Sequence, residues 1–147
     1  MRFFFTYRPY NLFSWLVRTL TGQAYSHVAI QMEDGLVYEA VLGGCRRQTL
    51  DQFLHKNYVA HVAYLPGETP LMHMRAVSKL GAAYDVPALI WFLLFLTADR
   101  LGWEIPRLVI NPKWLLCSEY VHYIVTGDLE TVTPKDIYRE VDEASSL

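Results

Sequence analysis

The stretch SHVAIQMEDGLVYEAV, residues 26–41, decides the fold. Apolar and polar positions alternate on both sides of Glu33-Asp34-Gly35, the pattern of two strands joined by a tight turn, since successive strand side chains point to opposite faces. Gly35 stands where a three-residue hairpin loop needs a left-handed residue. The turn then fixes the register. With Met32 opposite Leu36, Ile30 lies opposite Tyr38, Ala29 opposite Glu39 and His27 opposite Val41. One face carries Val28, Ile30, Met32, Leu36, Tyr38 and Ala40, and the other carries His27, Ala29, Gln31, Val37, Glu39 and Val41. His27 and Glu39 become diagonal neighbours within reach of each other. A carboxylate so placed can hold an imidazole in one tautomer and orientation.

Outward from this hairpin, Arg2 to Tyr7 is expected to be a strand. Asn11 can cap an amphipathic helix with Leu12, Trp15, Leu16, Thr19 and Leu20 on one side, ended by Gly22. After Gly43-Gly44 the sequence predicts a basic turn at Cys45-Arg46-Arg47, a short helix over Thr49 to Leu54 and a strand from Tyr58 to Leu65. Thr69 caps a helix that ends at Gly81. Asp85 caps an apolar helix with Pro87 in its first turn. Gly102 to Lys113 is expected to be a loop. A helix starts near Cys117 and stops at Gly127, and Thr133-Pro134-Lys135-Asp136 opens a last short helix, with the tail after about residue 141 fraying.

The run Val86 to Thr97, VPALIWFLLFLT, would span about 18 Å as a helix, short of the ~30 Å hydrocarbon layer. A buried core helix is the first expectation for it. An apolar wall facing lipid or an acyl chain is the second.

Cys117 opens its helix, where unpaired backbone N–H groups and the helix dipole favour a thiolate. An imidazole such as His27 could take the thiol proton and return it to a leaving group, with Glu39 orienting the ring. Taken alone, these residues also fit plainer roles: a cysteine after Leu115-Leu116 suits a core, and His27 and Glu39 could be structural. Cys45, beside two arginines, is the second candidate for a reactive thiol. Glu119 and His122, three apart on one helix, suit a surface ion pair.

At 147 residues with 52% apolar composition the chain supports one core and one domain spanning 1–147. Thirteen basic and fifteen acidic residues, net −2, are not the cationic stripe that nucleic acid demands, so no nucleic-acid partner is expected. The two cysteines are expected to be free thiols in a reducing compartment. The N-terminal apolar run is broken by Thr6, Arg8 and Pro9, so no signal peptide is expected and the location is cytoplasmic, with delivery to a periplasm or packaging in a phage particle left open. His55, His61 and His73 lack metal-ligand spacing, so no metal is expected.

Five motifs in order, Ser26-His27-Val28-Ala29-Ile30, Val37-Tyr38-Glu39-Ala40, Gly81-Ala82-Ala83-Tyr84-Asp85, Cys117-Ser118-Glu119-Tyr120-Val121 and Thr133-Pro134-Lys135-Asp136, resemble the circularly permuted branch of the NlpC/P60 superfamily, the YiiX-like papain-fold amidases. The resemblance implies an α+β permuted papain-like fold, an antiparallel sheet packed against helices, with the histidine strand before the nucleophile helix. It implies a cysteine amidase or peptidase with Cys117 as nucleophile, His27 as base and Glu39 as third member, no cofactor, and Tyr84, Ser118 and Glu119 at the substrate. Cell-wall peptide or isopeptide amides are the leading substrate class. The related lecithin retinol acyltransferase-like enzymes also place a histidine strand before a cysteine helix, which keeps open a lipid acyltransferase or thioesterase and a membrane or acyl-chain contact through residues 86–97. A third reading is an inert binding module on the same fold.

Overall fold

The hairpin forms in the expected register. β2 (His27–Gln31) and β3 (Leu36–Val41) are antiparallel with Ile30 opposite Tyr38, the Met32 amide donates to the Leu36 carbonyl at 3.1 Å, and Gly35 takes φ +80°. The computed structural model describes residues 1–103 and 114–145. Within them β1 (Arg2–Tyr7) lies antiparallel between β2 and β5 (Tyr58–Tyr64), and β4 (Gly44–Thr49) closes the far edge. The sheet order is β4-β3-β2-β1-β5. Six helices accompany it among the described residues: α1 (Leu12–Thr21), α2 (Leu50–Leu54), α3 (Pro70–Ser78), α4 (Val86–Arg100), α5 (Cys117–Thr126) and α6 (Pro134–Ser145). A short parallel pair, β6 (Ala83–Tyr84) with β7 (Trp114–Leu115), brings Tyr84 level with Leu115, two residues before Cys117. The class is α+β, as expected.

The central strands are buried on both faces, so the alternation in residues 26–41 sorts side chains between two cores. Val28, Ile30, Tyr38 and Ala40 pack with Tyr120, Val121 and Ile124 of α5. On the other face, Ala29 and Val37 pack with Phe4 and Phe53, whose rings meet at 5.6 Å. Fully burying such side chains stabilises by about 1.5–3 kcal/mol each. α5 is flanked by Leu116 before it, extended at φ −80°, ψ 163°, and by Gly127 after it, left-handed at φ +90°.

Three expectations are corrected. Cys45-Arg46-Arg47 is not a turn but the start of β4, with Arg46 opposite Glu39 and Cys45 opposite Ala40. Leu42-Gly43 is the two-residue turn before it, with Val41 opposite Gly44. Gly44 sits at φ +100°, and a Cβ there would stand 2.7 Å from the Ala82 carbonyl oxygen, whose hydrogen bond from the Cys45 amide, 2.8 Å long, ties β4 to the segment before Tyr84. Gly44→Ala is expected to cost roughly 2–4 kcal/mol in urea denaturation, combining backbone strain with that contact.

On α1 the cap residues are as expected, Asn11 accepting from the Ser14 amide and Gly22 left-handed. The buried side is not the apolar stripe but Ser14 and Val17. Ser14 Oγ shares a 2.6 Å hydrogen bond with Ser26 Oγ and accepts the Arg8 amide at 3.0 Å, so a polar anchor turns the helix. Leu12 and Trp15 are left exposed.

α4 is not a buried core helix: Ala88, Leu93 and Ala98 are buried while Ile90 and Leu94 are half exposed. α1 packs against it and a cavity separates part of its inner side from Leu116, Glu119 and residues 129–133, while Ile90 and Leu94 stay open to solvent. α6 runs to Ser145, with Val141 buried one turn after Ile137 and residues 142–144 exposed. The loop expected over Gly102 to Lys113 lies, from residue 104 on, outside the described residues. No helix among the described residues is long and apolar enough to cross a membrane.

Candidate active site

Cys117 is the first residue of α5 and His27 the first of β2, and α5 packs on β2. His27 and Glu39 share the face of Ala29 and Val37, whereas α5 covers the face of Val28 and Ile30. The two groups therefore meet at the strand's end, where the helix N-terminus abuts the first residue of β2. There the thiol and imidazole hydrogen-bond to each other, and the Val28 and Ser118 amides also point at the sulfur. His27 Nε2 is 2.9 Å from Glu39 Oε2, which leaves Nδ1 for the sulfur.

Burial, the largest influence on both groups, opposes the charged forms. The mutual hydrogen bond and charge attraction outweigh it, helped by Glu39 on the histidine and by the two amides on the sulfur. The Cys117 thiol is held below its ordinary value of 9.0, and His27 rises from 6.5 to about 9. These are one coupling seen from its two ends, and it favours the thiolate–imidazolium form of the pair.

Glu39 is wholly buried and fully engaged. Its Oε1 accepts Arg46 Nε at 2.9 Å, Arg46 Nη2 at 2.6 Å and Gln48 Nε2 at 2.6 Å. Burial pushes this carboxyl up, but His27 and then Arg46 bring it below its usual value. Arg46 and Gln48 are site residues that the sequence reading missed. The signal was available: Arg46 and Gln48 alternate along a strand after a glycine bend, on the side of Glu39.

Tyr84 lies against the nucleophile and hydrogen-bonds to Cys117. Burial, followed by the negative charge of Cys117 and Glu119, raises its phenol well above 10.0, so it stays a proton donor. Ser118 and Glu119 are buried, and their side chains have structural tasks. Ser118 Oγ donates to the Val132 carbonyl at 2.5 Å, and Glu119 Oε2 accepts the Leu116 amide at 3.0 Å, closing the first turn of α5. Burial raises the Glu119 carboxyl, the Leu116 amide opposes this, and neighbouring Asp85 adds to it. Glu119 does not pair with His122, which is buried and faces Glu140 at 3.7 Å and Glu130 at 4.0 Å. Cys45 is a buried, free thiol pushed up to about 12 by burial, with Lys79 opposing, which removes it as a reactive candidate.

Three cavities that share wall residues lie along the site. Arg8, Phe13, Leu42 and Leu89 line a cavity of about 120 Å³ beside His27. Tyr84 and Leu89 continue it to a narrow space at Cys117. Phe92 and Leu116 lead on into a chamber of about 500 Å³ walled by Trp91 and Phe95, with Asp85 and Glu119 at its edge. The arrangement has parts that acyl transfer could use: a sulfur whose thiolate form is favoured, a proton carrier beside it, amide and phenol donors near it and cavities on both sides. The chain matches no family model and no curated protein sequence.

Proposed function

We propose that the protein is a cysteine-dependent amidase or peptidase with a circularly permuted papain-like fold of the NlpC/P60 type. The observation that carries this reading is the pairing of Cys117 with His27, itself held by Glu39 at 2.9 Å. The Cys117 thiolate attacks an amide carbonyl carbon, forming the C–S bond as the carbonyl electrons move to oxygen. That oxygen is met by the backbone N–H of Cys117, in the first turn of α5 where amides lack intrahelical partners, and by the Tyr84 phenol. Collapse of the intermediate breaks the C–N bond, and the His27 proton goes to the departing nitrogen. Neutral His27 then takes a proton from water, whose oxygen attacks the thioester carbonyl and releases the acid and the thiolate.

The preferred substrate is a peptide or isopeptide amide, with cell-wall peptides first by analogy of fold. A second reading, a lipid acyltransferase or thioesterase with the same residues, is favoured by the 500 Å³ aromatic chamber lined by Leu116 and Glu119, which flank Cys117-Ser118 in sequence. Intact-mass spectrometry after brief incubation with candidate substrates tests both. A peptidyl adduct on Cys117, absent in Cys117→Ser handled identically, supports the amidase, and a long acyl adduct from phospholipid replaces it with the acyltransferase. A Cys117 inert to substrates and to iodoacetamide at neutral pH overturns the enzyme and leaves a binding module.

A further inference from the structure

We infer that α1 and α4 form a docking surface for an anionic lipid leaflet, set around the mouth of the cleft. The two helices pack on each other and each turns an apolar stripe to solvent. Leu12 is 74% and Trp15 56% exposed on α1, and Ile90 is 50% and Leu94 53% exposed one turn apart on α4. Scattered exposed apolar side chains are ordinary, but a stripe on each of two adjoining helices is a patch, and patches mark interaction surfaces. Tyr10 and Trp103, which adjoin these helices in sequence, are exposed as well, and such amphipathic rings favour the level of lipid headgroups.

Charge selects the occupant. The chain carries a net −2, yet its first acidic residue is Glu33, so everything before it, α1 included, bears only Arg2, Arg8 and Arg18. α4 has no charged residue until Asp99 and Arg100. An apolar surface whose only charged residues are Arg18 on one helix and Asp99 beside Arg100 at the end of the other, following an N-terminal segment free of carboxylates, has the make-up of an interfacial surface on anionic lipid. A second copy seated face to face would instead bring arginine against arginine. At 10 and 15 residues, α1 and α4 suit contact with a single leaflet. Phe13 and Leu89, from these same helices, line the cavity beside His27 with Arg8, so a docked molecule holds the entrance of its cleft at the lipid surface.

The experiment is flotation of full-length Cys117→Ala with phosphatidylcholine vesicles made with and without phosphatidylglycerol, so its result stands whatever chemistry Cys117 performs. The protein is expected to float with the anionic vesicles and to be partly released by salt. Leu12→Ser/Trp15→Ser and Ile90→Ser/Leu94→Ser should each weaken binding about tenfold or more while melting as the parent does. Leu71→Ser/Met74→Ser, on equally exposed positions of α3, should bind as the parent does. Absence of flotation with either vesicle overturns the inference. Unchanged binding by the α1 and α4 variants also does, as does a solution dimer dispersed by those substitutions.

Discussion

His27→Ala is expected to lower turnover by about 10²- to 10⁴-fold, the range that a positioned acid–base group supplies. It should also change how Cys117 titrates. In the parent, iodoacetamide labelling should begin at a pH below the ordinary thiol value of 9.0, because imidazolium holds the sulfur as thiolate. Without His27, burial is left as the dominant influence, and labelling should begin above that value. Rate at neutral pH then falls about tenfold for each unit that the thiol climbs. The alkaline side carries its own signature. Since His27 loses its proton near pH 9, parent turnover should decline through that pH as the leaving group loses its acid, while labelling, which needs only thiolate, does not decline. Stability follows with a definite sign. The raised histidine contributes stability present in full below its unfolded value of about 6.5 and lost as pH rises through about 9. The lowered thiol contributes above its unfolded value and loses that contribution as pH falls through its folded one, so the pair favours the fold between those limits. A variant that labels with the parent's pH profile would refute the assigned pairing.

Arg46→Ala is expected to have the largest effect on stability among single changes in the site, about 2–3 kcal/mol in chemical denaturation at neutral pH. Removing one member of a buried pair leaves the other charge stranded, typically at about 3–5 kcal/mol, and Glu39 is wholly buried. Arg46 is 38% exposed, so the pair is partly solvent-screened and the lower figure applies. The sign with pH is fixed by the lowered Glu39 carboxyl, which contributes stability above its unfolded value of about 4.3 and loses it as pH falls through its folded value. Without Arg46 that folded value rises, so acid unfolding should set in at a higher pH. The whole charge of Glu39 would then act on His27, and the alkaline limb of turnover should move up. A variant with parental stability and an unmoved acid midpoint would show that Gln48 and His27 suffice to hold the carboxylate.

The sequence exposed the parts governed by short-range rules. Asn11, Gly22, Gly35 and Gly127 mark element ends because caps and left-handed turns are local, and the alternation in residues 26–41 placed His27 beside Glu39 through register alone. It failed where the answer depends on distant neighbours. Arg46 and Arg47 suggested a solvated turn because charged residues usually face water, and a buried Glu39 opposite Arg46 overrides that habit. The apolarity of α4 says that it avoids water, not how many helices stand ready to cover it. On α1 a two-serine hydrogen bond outweighed the apolar stripe, a contact with Ser26 that no periodicity encodes.

His27 and Glu39 lie on one early hairpin and Cys117 on a helix far down the chain. Translation therefore delivers the base and its carboxylate long before the nucleophile, and domains fold as units once enough chain is present. Until α5 seats on β2, the thiol has neither its imidazole nor the Val28 amide and retains the low nucleophilicity of an ordinary cysteine. Under the proposed roles the activated thiol is assembled only when α5 seats on β2, so labelling of Cys117 during refolding would time that docking step.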